Sequence, residues 1–205
     1  MSLESPSRSE APAPSALPPA LNAAQGPAAS VSGLPGLGGA PVPRPGLRFL
    51  LAHPAHFIAL GAGSGLSGFA PGTVGTLWAW AAFLLIDPWM NDLRWALLIG
   101  ASVLIGVWAC MLTARHMQVM DPGAIVWDEV VAFWIVLWFV MPTNFWGQLA
   151  AFFLFRGFDV LKPGPIGWAD QRFKGIGWKG GMGIVLDDLL AAFAVLLLFA
   201  LWRSI

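Results

Sequence analysis

The chain is short of charge. Of its 205 residues only 11% are Asp, Glu, Lys or Arg, while 57% are hydrophobic. Soluble domains carry about 25% charged residues. With a mean hydropathy of +0.70, that shortage argues against an ordinary water-soluble fold and places most of the chain in lipid. The 11 basic and 11 acidic residues cancel, so the total gives no sign of a nucleic-acid partner. The single cysteine, Cys110, excludes an intramolecular disulfide and leaves the redox compartment open. It lies near the end of an apolar segment and not in an exposed anion-binding loop, so no reactive thiolate site is read there. The three histidines, His53, His56 and His116, do not fall into a metal-ligand spacing, which argues against zinc. His116, beside Arg115, reads as an interfacial residue. No Gly-Lys-Ser/Thr follows the glycine-rich stretch, so there is no Walker A loop.

What is present divides into two materials. Residues 1–46 hold ten of the 17 prolines and none of the Trp or Phe. Such a segment cannot bury apolar surface, and we expect a disordered Pro/Ala/Gly/Ser-rich tail without chemistry. No apolar core follows a basic start, so it is not expected to act as a signal peptide. Residues 47–205 form the expected membrane-embedded domain.

That domain breaks into apolar segments: Leu93–Ala114, Ile125–Met141, Gln148–Leu161, Ile184–Trp202, and a weaker Thr73–Asp87. They predict an all-α polytopic membrane bundle of about five apolar helices. A full span needs about 20 residues, so the shorter segments are expected to tilt or to cross incompletely. Trp at many segment ends fits an interfacial belt, and Trp and Phe otherwise read as packing residues. With five alternating spans, one set of connections carries Arg44, Arg48, Arg115, Lys162, Arg172, Lys174 and Lys179. The other carries only Arg94 and Arg203. The positive-inside rule puts the first set in the cytoplasm.

Five carboxylates then converge on that side. Asp128 and Glu129 open the third span, Asp159 closes the fourth, and Asp187 and Asp188 open the fifth. Ionisable groups near hydrocarbon are expensive and usually functional. Acids at this density repel unless a cation sits among them, and Mg²⁺ suits carboxylate oxygens together with water and phosphate. The local alternative is a helix dipole, which stabilises acids at an N-terminus. It covers Asp128, Glu129, Asp187 and Asp188 singly. It does not cover Asp159 at a C-terminus.

Arg156, Asp159 and Lys162 share a helix face at i, i+3, i+6 spacing. Either Arg156 and Asp159 form a structural pair, or Arg156 and Lys162 hold an anion while Asp159 faces metal. Gly61–Thr76, GAGSGLSGFAPGTVGT, precedes a helix start at Pro71-Gly72-Thr73. Its backbone, with Ser64 and Thr73, is a candidate phosphate cradle; turns and close helix contacts are the bland reading. KGGMGI, Lys179–Ile184, reads either as a flexible loop feeding a helix or as a close backbone approach to ligand.

Taken in order, GSGLSGFAPGTVGT, IVWDE, PTN, FRGFDVLKPGPIGWAD and GGMGIVLDD resemble the phosphatidylglycerophosphatase A family, from about Ala59 to the last span. The resemblance implies an all-α, Mg²⁺-dependent lipid phosphatase of the bacterial inner membrane. It would convert phosphatidylglycerophosphate to phosphatidylglycerol and phosphate. The Asp-x-Asp-x-Thr/Val motif, the Lys/Arg/His signature of vanadium-haloperoxidase-like lipid phosphatases and the CDP-alcohol phosphotransferase motif are absent. A phospholipid phosphomonoester suits the acid cluster and its basic partners at headgroup depth. In this reading Asp128, Glu129, Asp187 and Asp188 hold one or two Mg²⁺. Arg156 and Lys162, with Arg172 and Lys174 as further candidates, neutralise the phosphate. Asp159 serves as ligand, base or nucleophile, so the expected catalytic residues are Asp159, Asp128 and Asp188. Two alternatives stay open: a phosphatase for another lipid phosphate, and a non-catalytic membrane protein that binds cations or lipid. Transport sites usually lie near the midplane, which counts against a transporter.

Overall fold

The computed structural model describes residues 44–119, 122–164, 166–168 and 178–204. Residues 1–43 of the expected tail, and Arg172 and Lys174 of the expected anion site, lie outside the described residues. The elements among the described residues are all helical, without strands: α1 (Leu47–Ala52), α2 (Pro54–Ala59), α3 (Pro71–Ile86), α4 (Asp92–Met117), α5 (Trp127–Val140), α6 (Phe145–Leu161) and α7 (Trp178–Ser204). A 3-10 turn, Gly61–Leu66, joins α2 to the approach of α3.

Local chemistry explains where these helices begin and end. Asn91 caps α4 by accepting from Arg94 N at 2.9 Å, and Asn144 caps α6 by accepting from Gly147 N at 2.9 Å. The α3 helix starts on Pro71 as its spacing predicts, a position where the missing N–H costs nothing. The α6 helix ends in a left-handed turn at Lys162, φ 42°.

The α5 helix is the hub. Val130, Val131, Ala132, Phe133, Trp134, Val136, Leu137 and Val140 are buried on every side of it, the pattern of a helix enclosed by others. The α3, α4, α6 and α7 helices all pack against it. Indole N–H groups inside this core are satisfied: Trp134 donates to Ala79 O at 2.9 Å and Trp80 to Gln148 Oε1 at 2.7 Å. The tryptophans therefore split. Trp80, Trp95 and Trp134 are core residues, while Trp89, Trp146 and Trp202 are exposed.

Large apolar side chains also face outward: Leu93, Leu97 and Leu104 on α4, Phe153 on α6, and Phe193, Leu197 and Leu201 on α7. Two helical stretches, Asp92–Met117 and Val185–Ser204, are long and apolar enough to cross a membrane. The α3, α5 and α6 helices have 16, 14 and 17 residues. Each falls short of the roughly 20 that a full span needs.

One expectation is corrected. The Lys179–Ile184 stretch is not a loop feeding the last helix; α7 begins at Trp178 and runs through it. Asp187 and Asp188 consequently lie well inside α7, with no acid in its first turn. Asp188 is ten residues past Trp178, about 15 Å along the axis. The dipole account of these two acids fails at that depth.

Candidate metal and phosphate site

Three helices bring the acids together. Asp128 and Glu129 occupy the first turn of α5. Asp188, 2% exposed, comes from the interior of α7. One oxygen from each of these three carboxylates lies within 4.8 Å of the other two. Oxygens on opposite sides of one Mg²⁺ stand about 4 Å apart, so the spread is close to that of a single ligand set. In these groups Asp128 Oδ1, Glu129 Oε2 and Asp188 Oδ2 are buried with no hydrogen-bond partner. A buried carboxylate oxygen without a donor is strongly unfavourable, and a cation is the natural remedy. The donor set, oxygen only and anionic, suits a hard divalent cation better than zinc or copper.

The cationic side stands beside it on α6. Arg156 Nη1 lies 3.4 Å from Glu129 Oε1 and also donates to Asp159. The Arg156–Asp159 pair expected from their spacing is therefore formed, and the guanidinium reaches the acid trio as well. Its Nε is buried without a hydrogen-bond partner. Lys162 donates to Asp187 Oδ2. Asp187, expected among the metal ligands, is thus held by a lysine beside the trio.

The α3 helix closes the site with its first turn. A Cβ on Gly72 would overlap Glu129 Oε1 and would stand 3.0 Å from Arg156 Nη2. Only glycine lets the helix start approach so closely. Thr73, the next residue, is half-buried. Ser64 instead turns its hydroxyl inward, donating to Gly61 O at 2.8 Å.

Two features escaped sequence reasoning. His53, His56 and His116 come together: His56 Nε2 and His116 Nδ1 are 2.8 Å apart, and the His53 and His56 rings are 5.5 Å apart. His56 Nδ1 lies 2.8 Å from Phe49 O, and a carbonyl only accepts, so Nδ1 carries the proton. Nε2 then accepts from His116. Both nitrogens of His56 are thereby occupied, and the only three-ligand group among the described residues is the acid trio. Separation by 60 residues hides such a pair from any local motif. The second feature is a cavity of about 790 Å³ at the far end of α6, lined by Thr143, Trp146, Leu198 and Arg203 among others. It contains none of the acids.

The comparisons with known proteins follow the same residues. The family model for phosphatidylglycerophosphatase A matches residues 57–203. A protein of Escherichia coli strain K12 named phosphatidylglycerophosphatase A is 42% identical over 147 residues, covering 70% of this chain and 80% of its own length. The protein of that name from Haemophilus influenzae is 38% identical over 155 residues, covering 75% and 92%. A Bacteroides thetaiotaomicron protein provisionally named phosphatidylinositol-3-phosphatase is 38% identical over 157 residues, covering 71% and 91%. No solved structure gives a significant match.

Proposed function

The chain belongs to the phosphatidylglycerophosphatase A family, and we propose that it hydrolyses the terminal phosphate of phosphatidylglycerophosphate to give phosphatidylglycerol and phosphate. The observation that carries the chemistry is the trio of orphaned carboxylate oxygens on Asp128, Glu129 and Asp188, with Arg156 alongside.

Asp128, Glu129 and Asp188 would hold the metal, with Asp187 beside them. Mg²⁺ bound there would polarise the phosphoryl oxygens and lower the pKa of an attacking water. Arg156 offers the phosphate a planar fork of donors, including its orphaned Nε. Lys162 adds a point charge at the end of the same helix. Gly72 lets the start of α3 come up against Glu129 and Arg156, and the first-turn N–H groups around Thr73 face an anion favourably. A phosphate that draws Arg156 away from Asp159 frees that carboxylate. Asp159 then takes the proton of the water that attacks phosphorus, while the phosphorus–oxygen bond to the glycerol breaks and the departing alkoxide takes a proton from solvent; or Asp159 itself attacks phosphorus, expels that alkoxide and leaves an aspartyl phosphate that water hydrolyses.

The reading includes residues 47–205 as the membrane-embedded catalytic domain and the preceding residues as a tail. The outward-facing leucines and phenylalanines of α4, α6 and α7 support burial in lipid. Membership of the family supports a bacterial inner membrane, and the bias of Lys and Arg supports placing the acid cluster on its cytoplasmic side. Acyl chains then stay in the inner leaflet while the headgroup reaches the acids.

The Bacteroides relative's name keeps a second lipid phosphate in view. A panel of phosphatidylglycerophosphate, phosphatidylinositol 3-phosphate and phosphatidate, given to the purified protein, decides between them. Fastest phosphate release from phosphatidylglycerophosphate is expected. Preference for either other lipid would replace the substrate and leave the site intact.

A further inference from the structure

We propose that a socket of four glycines, contributed by three separate elements, sets the position of the Asp128–Glu129 ligand pair; the inference rests on the metal-site reading above. The segment Ala124–Trp127 leads directly into those two acids, and its Ala124, Val126 and Trp127 are each seated against a glycine. A Cβ on Gly65 of the 3-10 turn would overlap Ala124 O. A Cβ on Gly61 would stand 2.7 Å from Val126 Cγ2, and one on Gly75 of α3 would stand 2.7 Å from Val126 Cβ. A Cβ on Gly106 of α4 would stand 2.7 Å from Trp127 Cδ1. Hydrogen bonds to backbone carbonyls hold the same segment: Val126 N donates to Ala59 O at 2.9 Å, and Trp127 Nε1 donates to Ser102 O at 3.1 Å.

The physical need follows from α5 itself. Its N-cap, Val126, offers no side-chain acceptor to the first turn, so the usual device for fixing a helix start is missing. Val126 is 0% exposed and β-branched, with a stiff χ1. A rigid knob in a close-fitting hole fixes both the height and the rotation of the turn that follows. Ligands held a fraction of an ångström from their productive places need such support from behind. None of the socket residues is a carboxylate or a cation of the site. They are positioning residues.

Gly75 is the discriminating position, because it is helical and its backbone needs no left-handed angle. The overlap falls on Val126 Cβ, which has no freedom to swing aside. The test uses the full-length protein in detergent, with Mn²⁺ as the probe and loss of the free-ion spin-resonance signal as the readout. Wild type should take up Mn²⁺. Gly75→Ala should weaken uptake at least about tenfold, with a parallel rise in the metal concentration needed for half-maximal phosphate release. Gly75→Ala combined with Val126→Gly should recover most of the loss, since the second change removes the Cβ that the first one overlaps. Gly100→Ala on α4, where a Cβ meets nothing within 4 Å, should leave uptake unchanged. If Gly75→Ala fails to fold, Val126→Ile crowds the same hole more mildly and should weaken uptake in its place. Wild-type uptake with equal uptake in the crowded variants overturns the socket alone. A wild type that takes up no Mn²⁺ overturns the metal-site reading and the socket with it.

Discussion

Arg156 Nη1 lies 3.4 Å from Glu129 Oε1 while the same guanidinium pairs with Asp159, so one side chain joins α5 to α6 at the acid cluster. It is only 14% exposed, which raises its electrostatic leverage over that of a surface arginine. Arg156→Ala should lower kcat/KM for phosphate release by about 10²–10³-fold, the scale for losing a preorganised charge at a developing anion. Arg156→Lys should recover only part, because an ammonium cannot reproduce the fork. Steady-state kinetics on both variants checks this. Near wild-type kcat/KM in Arg156→Ala would remove Arg156 from phosphate binding.

Gly72 is the position where a single methyl presses directly on the charged groups of the site. It would overlap Glu129 Oε1 and crowd both terminal nitrogens of Arg156. Gly72→Ala is expected to cut phosphate release at least about tenfold while far-ultraviolet circular dichroism stays helical, since alanine is the better helix former. The Gly100→Ala control should retain activity.

The histidine pair gives a pH dependence away from the acids. Burial holds His56 below the ordinary imidazole range, partly offset by its bond to Phe49 O, with His116 and His53 opposing its charge further. Its folded-state pKa is thus lower than its unfolded one. Between those two values the unfolded chain binds more protons, so stability rises with pH there. It is complete above about 6.5, the unfolded imidazole value. Thermal unfolding in detergent should show the midpoint falling as pH drops below about 6.5. His56→Gln should flatten that slope. An identical slope in the variant would contradict the assignment.

Sequence and structure agree where the physics is local. Pro71 begins a helix, the acids at 128 and 129 open one, and the 156–159 pair forms because residues three apart on a helix are neighbours. Convergence of the acids of α5, α6 and α7 was also readable, since the charge bias of the connections put those acids on one side. The division of labour among the acids was not. Asp187 and Asp188 are adjacent in the chain, yet one turns to Lys162 and the other joins Asp128 and Glu129. That choice depends on helix rotation, which spacing alone does not fix. Three glycines between Lys179 and Ile184 leave both a loop and a close backbone approach open; the helix runs through them. The glycine socket and the histidine pair stayed hidden because their members are scattered along the chain and meet only through packing.

The most direct test of the central claim is phosphate release from phosphatidylglycerophosphate by the purified protein, with Mg²⁺ and after chelation, for wild type and Asp188→Asn. The account predicts release that disappears on chelation, returns with Mg²⁺, and is lost in Asp188→Asn although that variant still inserts and stays helical. Equal release from wild type with and without Mg²⁺, or near-normal turnover in Asp188→Asn, would contradict it.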